Sequence, residues 1–96
     1  MQVLLSTERA RSMLIALDYD GTFTRDPDFW NGFIGNCATF GHEVVCATMR
    51  HESEPITMIC PVIYTARQPK MAFLAEKGIN PDIWIDDMPQ LLFVGA

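Results

Sequence analysis

The chain is poor in basic residues. Seven Lys and Arg stand against twelve Asp and Glu in 96 residues, for a net charge of −5. Affinity for a phosphate backbone needs clustered Lys and Arg, so general nucleic-acid binding and binding to an acidic membrane surface are not the expected functions. A local phosphate site built on one or two cations remains open. Cysteine is scarce as well. Cys37, Cys46 and Cys60 are odd in number and lack Cys-x-x-Cys spacing, and two of them lie inside apolar runs. That pattern fits neither a disulfide frame nor a zinc site; it reads as reduced core residues of a cytoplasmic protein. No apolar run approaches the roughly 20 residues of a membrane-spanning helix, so no membrane partner is expected. A secretory signal pattern is missing, since Glu8, Arg9 and Arg11 follow the first few apolar residues. Repeats and low-complexity tracts are absent too.

The hydrophobic fraction of 49% and charged fraction of 20% describe a globular chain. Its length suits a single core and little more. Met13 directly precedes the first strong strand, so residues 1–12 read as an extension and 13–96 as one domain. Met13 to Leu17 is an apolar strand. Asp26-Pro27 reads as a helix start, with Asp26 as cap and the helix running to Phe40 before Gly41. Phe29, Trp30, Phe33, Ile34, Cys37 and Ala38 share one face of it. The opposite face holds Asn31, Gly32, Gly35, Asn36 and Thr39, and no charge occurs between Phe29 and Gly41. A solvated helix face is usually charged, which makes the uncharged face of helix 28–40 a candidate contact with a second copy of the chain.

Glu43 to Ala47 and Met58 to Tyr64 read as the next strands, with room between them for at most a turn or two of helix. Pro69 opens a second helix through Lys77; Gly78 stops it and Ile79 follows with a hydrophobic contact. Asp82 to Ile85 is a fourth strand, and Pro89 to Val94 a last short helix or strand. This order predicts an α/β fold, a small Rossmann-like three-layer sandwich with a mainly parallel sheet of about four strands. In such sheets the ligand crevice lies beyond the carboxyl ends of the strands. The polar residues there are Asp18 and Asp20, Thr48, Thr65, and Asp86 with Asp87.

Asp18 and Asp20 end the first strand and are two residues apart, so their side chains can face one point while Tyr19 turns away. Two such carboxylates repel unless a cation or a proton relieves them. The plain alternative is a strand ending in an Asp-Gly turn.

The set of strand ends resembles the haloacid dehalogenase-like phosphatase superfamily. The signatures that carry the resemblance are Asp18-Tyr19-Asp20-Gly21-Thr22 after an apolar strand, Val44 to Thr48, Lys70 after Pro69, and Ile83-Trp84-Ile85-Asp86-Asp87. They occur in the family's order and span nearly the whole domain. The resemblance implies a Mg²⁺-dependent phosphomonoester hydrolase. Asp18 would be the nucleophile that forms an aspartyl-phosphate, and Asp20 the general acid/base. Thr48 and Lys70 would bind the phosphoryl group. Mg²⁺ would be held by Asp18, the backbone carbonyl of Asp20 and an acid of the fourth strand. Adjacent side chains diverge on an extended strand, which favours Asp86 as that ligand and leaves Asp87 behind it or acting through water.

Thr65 rivals Thr48, but Lys70 should come from the element after the third strand, which favours Thr48. Arg50 and Arg67 read as substrate contacts or, more simply, as surface solubility; His42 and His51 read as surface residues. Larger relatives insert a cap domain, for which neither Thr22–Pro27 nor Ala66–Pro69 leaves space. The expected partner is therefore a phosphorylated substrate, small or large, at an open site. The alternatives are a phosphatase for nucleotides or nucleic-acid ends, and a binding or scaffold module that keeps the fold without turnover.

Overall fold

The computed structural model describes residues 12–96. The extension expected at residues 1–12 lies, apart from Ser12, outside them. Four strands form one sheet: β1 (Leu14–Leu17), β2 (Glu43–Thr48), β3 (Val62–Tyr64) and β4 (Ile83–Ile85). Their order is β3-β2-β1-β4, and every pairing is parallel. Helix α1 (Pro27–Thr39) joins β1 to β2, and α2 (Lys70–Glu76) joins β3 to β4. The fold is the expected α/β sandwich. Among the described residues no helix is long and apolar enough to cross a membrane.

The alternation of side chains along β1 sets up the layers. Ile15 and Leu17 pack with Ile34 and Cys37 of α1, whereas Ala16 packs with Ala47 of β2 and Leu74 of α2. Residues two apart on a strand share a face, so the two helices cover opposite faces of the sheet. The small side chain of Ala16, flanked by Ala47, lets Leu74 sit completely out of solvent.

Helix ends follow their sequence signals. Asp26 accepts the Phe29 N–H at 3.2 Å, with Pro27 in the first turn. At the other end His42 N–H bonds Cys37 O at 2.8 Å, and in α2 Ile79 N–H bonds Leu74 O at 2.9 Å. Both closures span five residues and pass through a glycine of positive φ, Gly41 or Gly78. Ile79 joins the Leu74 cluster, as expected.

Other expectations need correction. The third strand begins at Val62, not Met58. Pro61 has no N–H to donate to a ladder, and residues 49–61 run as turns and irregular chain. Phe29 and Ala38 are exposed rather than core. Phe29 instead sets its ring edge-on to Trp30, 5.0 Å away. His42 is half-buried and accepts the Met13 N–H at 3.0 Å. The last element, left open as a short helix or strand, is a 3₁₀ helix, Pro89–Leu92. All three cysteines are free, and burial pushes the Cys46 thiol up to about 12.

The order β3-β2-β1-β4 positions the site. The chain leaves β1 for β2 on one side and reaches β4 on the other, so the strand order reverses between β1 and β4. Ligand crevices of open α/β sheets form at such points, beyond the strands' carboxyl ends. Asp18 N–H bonds Ile85 O at 2.9 Å there, extending the ladder to the edge of the crevice.

Leu74→Ala is expected to destabilise the protein by about 2–5 kcal/mol, because the cavity would lie between a helix and two alanines that cannot fill it. Thermal unfolding checks this: for a domain this small each 1 kcal/mol is worth roughly 4–8 °C in Tm.

Candidate active site

Lys70 stands in the first turn of α2 and is 1% exposed, the largest fully buried side chain described. Its ammonium meets Asp18 Oδ1 at 2.6 Å and Asp86 Oδ2 at 2.7 Å. One cation thus joins the ends of β1 and β4. A buried ammonium is costly unless paired, and here two carboxylates share it. Burial alone would pull the Lys70 pKa down; the hydrogen bonds from Lys70 to Asp18 and Asp86 outweigh it and hold the group above its usual range.

Asp18 is 7% exposed. Burial pushes its carboxyl up to about 6 against the pull of Lys70, and Asp87 and Asp86 add to the rise. Its second oxygen accepts the Thr22 hydroxyl at 3.0 Å. The Thr22 oxygen in turn accepts the Asp87 N–H at 3.2 Å and lies 3.3 Å from Asp87 Oδ1. A hydroxyl has one proton to give, and the shorter contact assigns it to Asp18. Thr22 therefore ties the turn after β1 to the loop after β4. Gly21, at φ +84°, carries this turn; a Cβ there would collide with the Asp87 carboxylate.

Ligand atoms of Asp18, Asp86 and Asp87 all lie within 4.8 Å of one another. β4 ends at Ile85 and the chain bends at Asp87, so strand alternation no longer separates adjacent side chains. That removes the reason for admitting only one of the two acids. Asp86 is already engaged: Oδ2 takes Lys70 and Oδ1 takes the Met88 N–H at 2.9 Å. Asp87 is the more exposed of the pair. Two carboxylates bonded to one ammonium, with the more exposed Asp87 beside them, leave net negative charge at this edge. An all-oxygen, anionic donor set suits a hard divalent cation of the Mg²⁺ or Ca²⁺ type, without selecting between them.

Asp20 faces different company. Arg50 donates Nε–H to its Oδ2 at 2.9 Å and Nη2–H to its Oδ1 at 2.8 Å, and this fork holds the carboxyl below its usual range. The Arg50 guanidinium also lies 5.3 Å from the centre of the Tyr19 ring. The Asp20 carboxylate is not part of the acidic trio.

Thr48 is buried at the end of β2, and its oxygen accepts the Arg50 N–H at 3.3 Å, which leaves its own proton free to donate. Thr65, the rival, gives its hydroxyl to Gln68 O at 3.0 Å within its own turn. Ala66 and Arg67 follow in left-handed conformation, at φ 51° and 68°. That turn is held by Ala66 N–H to Arg50 O and Arg67 N–H to Met49 O, at 3.2 and 2.9 Å. Non-glycine residues with positive φ persist where surrounding contacts hold them.

The elements enclose a cleft of about 160 Å³ lined by Asp18, Asp20, Thr48, Arg50, Arg67, Lys70 and the Asp86-Asp87 pair. Pockets for drug-sized ligands are roughly 300–1,000 Å³, so this cleft suits a small anionic group with the remainder of its molecule outside. Every site residue expected from the sequence lines it. Two features were not expected. Thr22, given no role of its own in the sequence reading, bridges Asp18 and Asp87. Arg50 forks on Asp20, where the simpler reading was solubility; two arginines each two residues past a strand-end threonine were the available signal. Compared with known proteins, the chain matches no family model, no curated protein and no solved structure.

Lys70→Met is expected to cost about 3–5 kcal/mol, because it strands two buried carboxylates. Adding Asp18→Asn and Asp86→Asn should restore much of the loss; chemical denaturation of the single and triple variants checks it.

Stability should also follow pH through Asp18. Its folded pKa, near 6, lies above the usual value of 3.8, so the folded state holds the proton more tightly than the unfolded one. That contribution is present at low pH and is lost as pH rises to about 6. In EDTA the wild type should therefore lose stability relative to Asp18→Asn between pH 4 and 6.5. Added Mg²⁺ should raise Tm more at pH 7.5 than at pH 5, because it needs the ionised carboxylate. Thermal scans of both proteins with and without the ion measure these differences.

Proposed function

We propose that the protein is a divalent-cation-dependent phosphomonoester hydrolase of the haloacid dehalogenase-like type. The observation that carries the reading is the buried arrangement in which Lys70 joins Asp18 to Asp86 while Asp87 closes a three-carboxylate cluster. It supports an oxygen-ligand cation site and an anion site side by side, which is what phosphoryl transfer needs.

Asp18, Asp86 and Asp87 are the side chains that would hold the ion, with Asp86 and Asp87 both within reach; Asp20 would contribute its backbone carbonyl. When bound, Mg²⁺ would supply charge neutralisation, allowing an anionic carboxylate to approach an anionic phosphate. The chain's own residues do the rest. Asp18 attacks phosphorus, the ester P–O bond breaks, and Asp20, once it has left Arg50 and taken a proton from solvent, gives that proton to the departing oxygen. Water then attacks the aspartyl-phosphate, Asp20 takes the proton, and phosphate leaves with the Asp18 carboxylate regenerated. Thr48 donates its free proton to a phosphoryl oxygen. Lys70 balances charge on Asp18 and on the phosphoryl group, a pre-set electrostatic contribution that needs no rearrangement.

A second reading, a binding module without turnover, draws on the Arg50–Asp20 fork, which occupies the proposed acid/base in the resting protein.

Hydrolysis of p-nitrophenyl phosphate separates the two readings. Turnover should require Mg²⁺, stop in EDTA and vanish in Asp18→Asn. Asp20→Asn should retain the fold and lose about 10²–10⁴-fold in kcat. Turnover that survives in Asp18→Asn would refute the nucleophile assignment, and a folded protein inert toward all phosphomonoesters would favour the binding module.

A further inference from the structure

The acid/base proposed for the site is held by an arginine on the wall of the same cleft. Both oxygens of Asp20 are taken by Arg50, at 2.9 and 2.8 Å. The arrangement is that of a guanidinium binding an oxyanion: two parallel N–H donors meet two carboxylate oxygens. Asp20 thus sits where a carboxylate or phosphate of a ligand would sit. Arg50 is held for that task by its ring contact with Tyr19 and by its own backbone N–H on Thr48. Arg67 lines the same cleft, its guanidinium reaching Glu54 at 3.5 Å, a looser pairing than that of Arg50.

The side chains of Arg50 and Asp20 are 32% and 56% exposed. An exposed pair is weak, so a competing anion can replace it. In contrast, the Lys70 pairs are buried and would resist such competition.

We propose that Arg50 is a latch on Asp20 that opens when a second oxyanion of the substrate takes its place, so that the site selects phosphate monoesters carrying another carboxylate or phosphate near the ester. The proposal rests on the phosphatase reading for the role of Asp20. Its binding half does not: the ligand's oxyanion and the Asp20 carboxylate compete for one guanidinium. Arg50 is a positioning and selecting residue here. It draws the second anion and, in the same exchange, releases Asp20 toward the ester oxygen.

Two measurements test it. The first compares turnover of butyl phosphate with that of 3-carboxypropyl phosphate, which differ in one terminal group. The wild type should prefer the carboxylate in kcat as well as in KM. Arg50→Gln should abolish the preference and raise kcat on butyl phosphate, on the order of fivefold for release of an exposed ion pair. The second is calorimetry of the full chain with Mg²⁺, using butylphosphonate and 4-phosphonobutyrate, which need no turnover. The wild type should bind 4-phosphonobutyrate more tightly and Arg50→Gln should bind the two alike. Asp20→Asn, with the internal rival weakened, should gain about fivefold more in affinity for 4-phosphonobutyrate than it gains for butylphosphonate.

A wild type without preference in binding overturns the proposal, as does an Asp20→Asn that gains no more for 4-phosphonobutyrate than for butylphosphonate. An Arg50→Gln that loses turnover equally on both esters also overturns it, since Arg50 would then serve the scissile phosphate. Failure of the phosphatase reading looks different: no turnover of either ester by any variant, with the calorimetric preference and its response to Asp20→Asn intact.

Discussion

The buried ammonium of Lys70 is the constraint on which the rest of the structure turns. It sits in the first turn of α2, yet its partners belong to the ends of β1 and β4, 52 and 16 residues away along the chain. Bringing them together requires the β3–α2–β4 crossover to pass from one edge of the sheet to the other. It also requires α2 to press onto the sheet, which the small side chains of Ala16 and Ala47 permit at Leu74. The apolar packing and the polar cluster are two results of one placement. A lysine in this position is stable only with its carboxylates, and the carboxylates are tolerable only with the lysine.

The charge count around it is lopsided. Asp18, Asp86 and Asp87 converge where one ammonium stands, and Thr22 and Gly21 hold the two acidic loops close enough to keep them converged. The raised Asp18 pKa reflects its burial first and the neighbouring Asp87 and Asp86 after it. The surplus of negative charge costs stability, and a divalent cation would relieve it. Asp20 has a contrary environment, exposed and forked by Arg50, with its carboxyl held low. Two aspartates two residues apart in sequence thus have opposite surroundings. These directions describe the resting protein: a cation held by Asp18 would favour its ionised form, and loss of the Arg50 fork would let Asp20 carry a proton.

Much of this was legible in the sequence. The strand-end residues Asp18, Thr48 and Asp86 could be read because hydrophobic runs end abruptly at them and parallel strands deliver their ends to one edge; Lys70 could be read from Pro69, which opens its helix. Both helix stops were legible because Gly41 and Gly78 adopt a backbone that other residues resist. The third strand was overextended because Met58, Ile59 and Cys60 are apolar, and apolarity alone does not distinguish a strand from a chain lying along the surface. The contacts of Thr22 and Arg50 depend on which loops meet across the crevice. No local pattern carries that information: Thr22 and Asp87 are 65 residues apart, and Asp20 and Arg50 are 30 apart. The bend after Ile85, which frees Asp86 and Asp87 to face one point, lies beyond the strand whose alternation had been used to separate them.

The central claim is that Asp18 becomes covalently phosphorylated. The direct measurement is acid quench of the Mg²⁺-loaded protein during turnover of p-nitrophenyl phosphate, borohydride reduction, and peptide mass spectrometry. An acyl phosphate on Asp18 would be reduced to the alcohol, so homoserine at position 18 is the predicted result, absent when EDTA or the Asp18→Asn protein is used. Steady hydrolysis with residue 18 recovered as unmodified aspartate, or with the label at another carboxylate, would contradict the account.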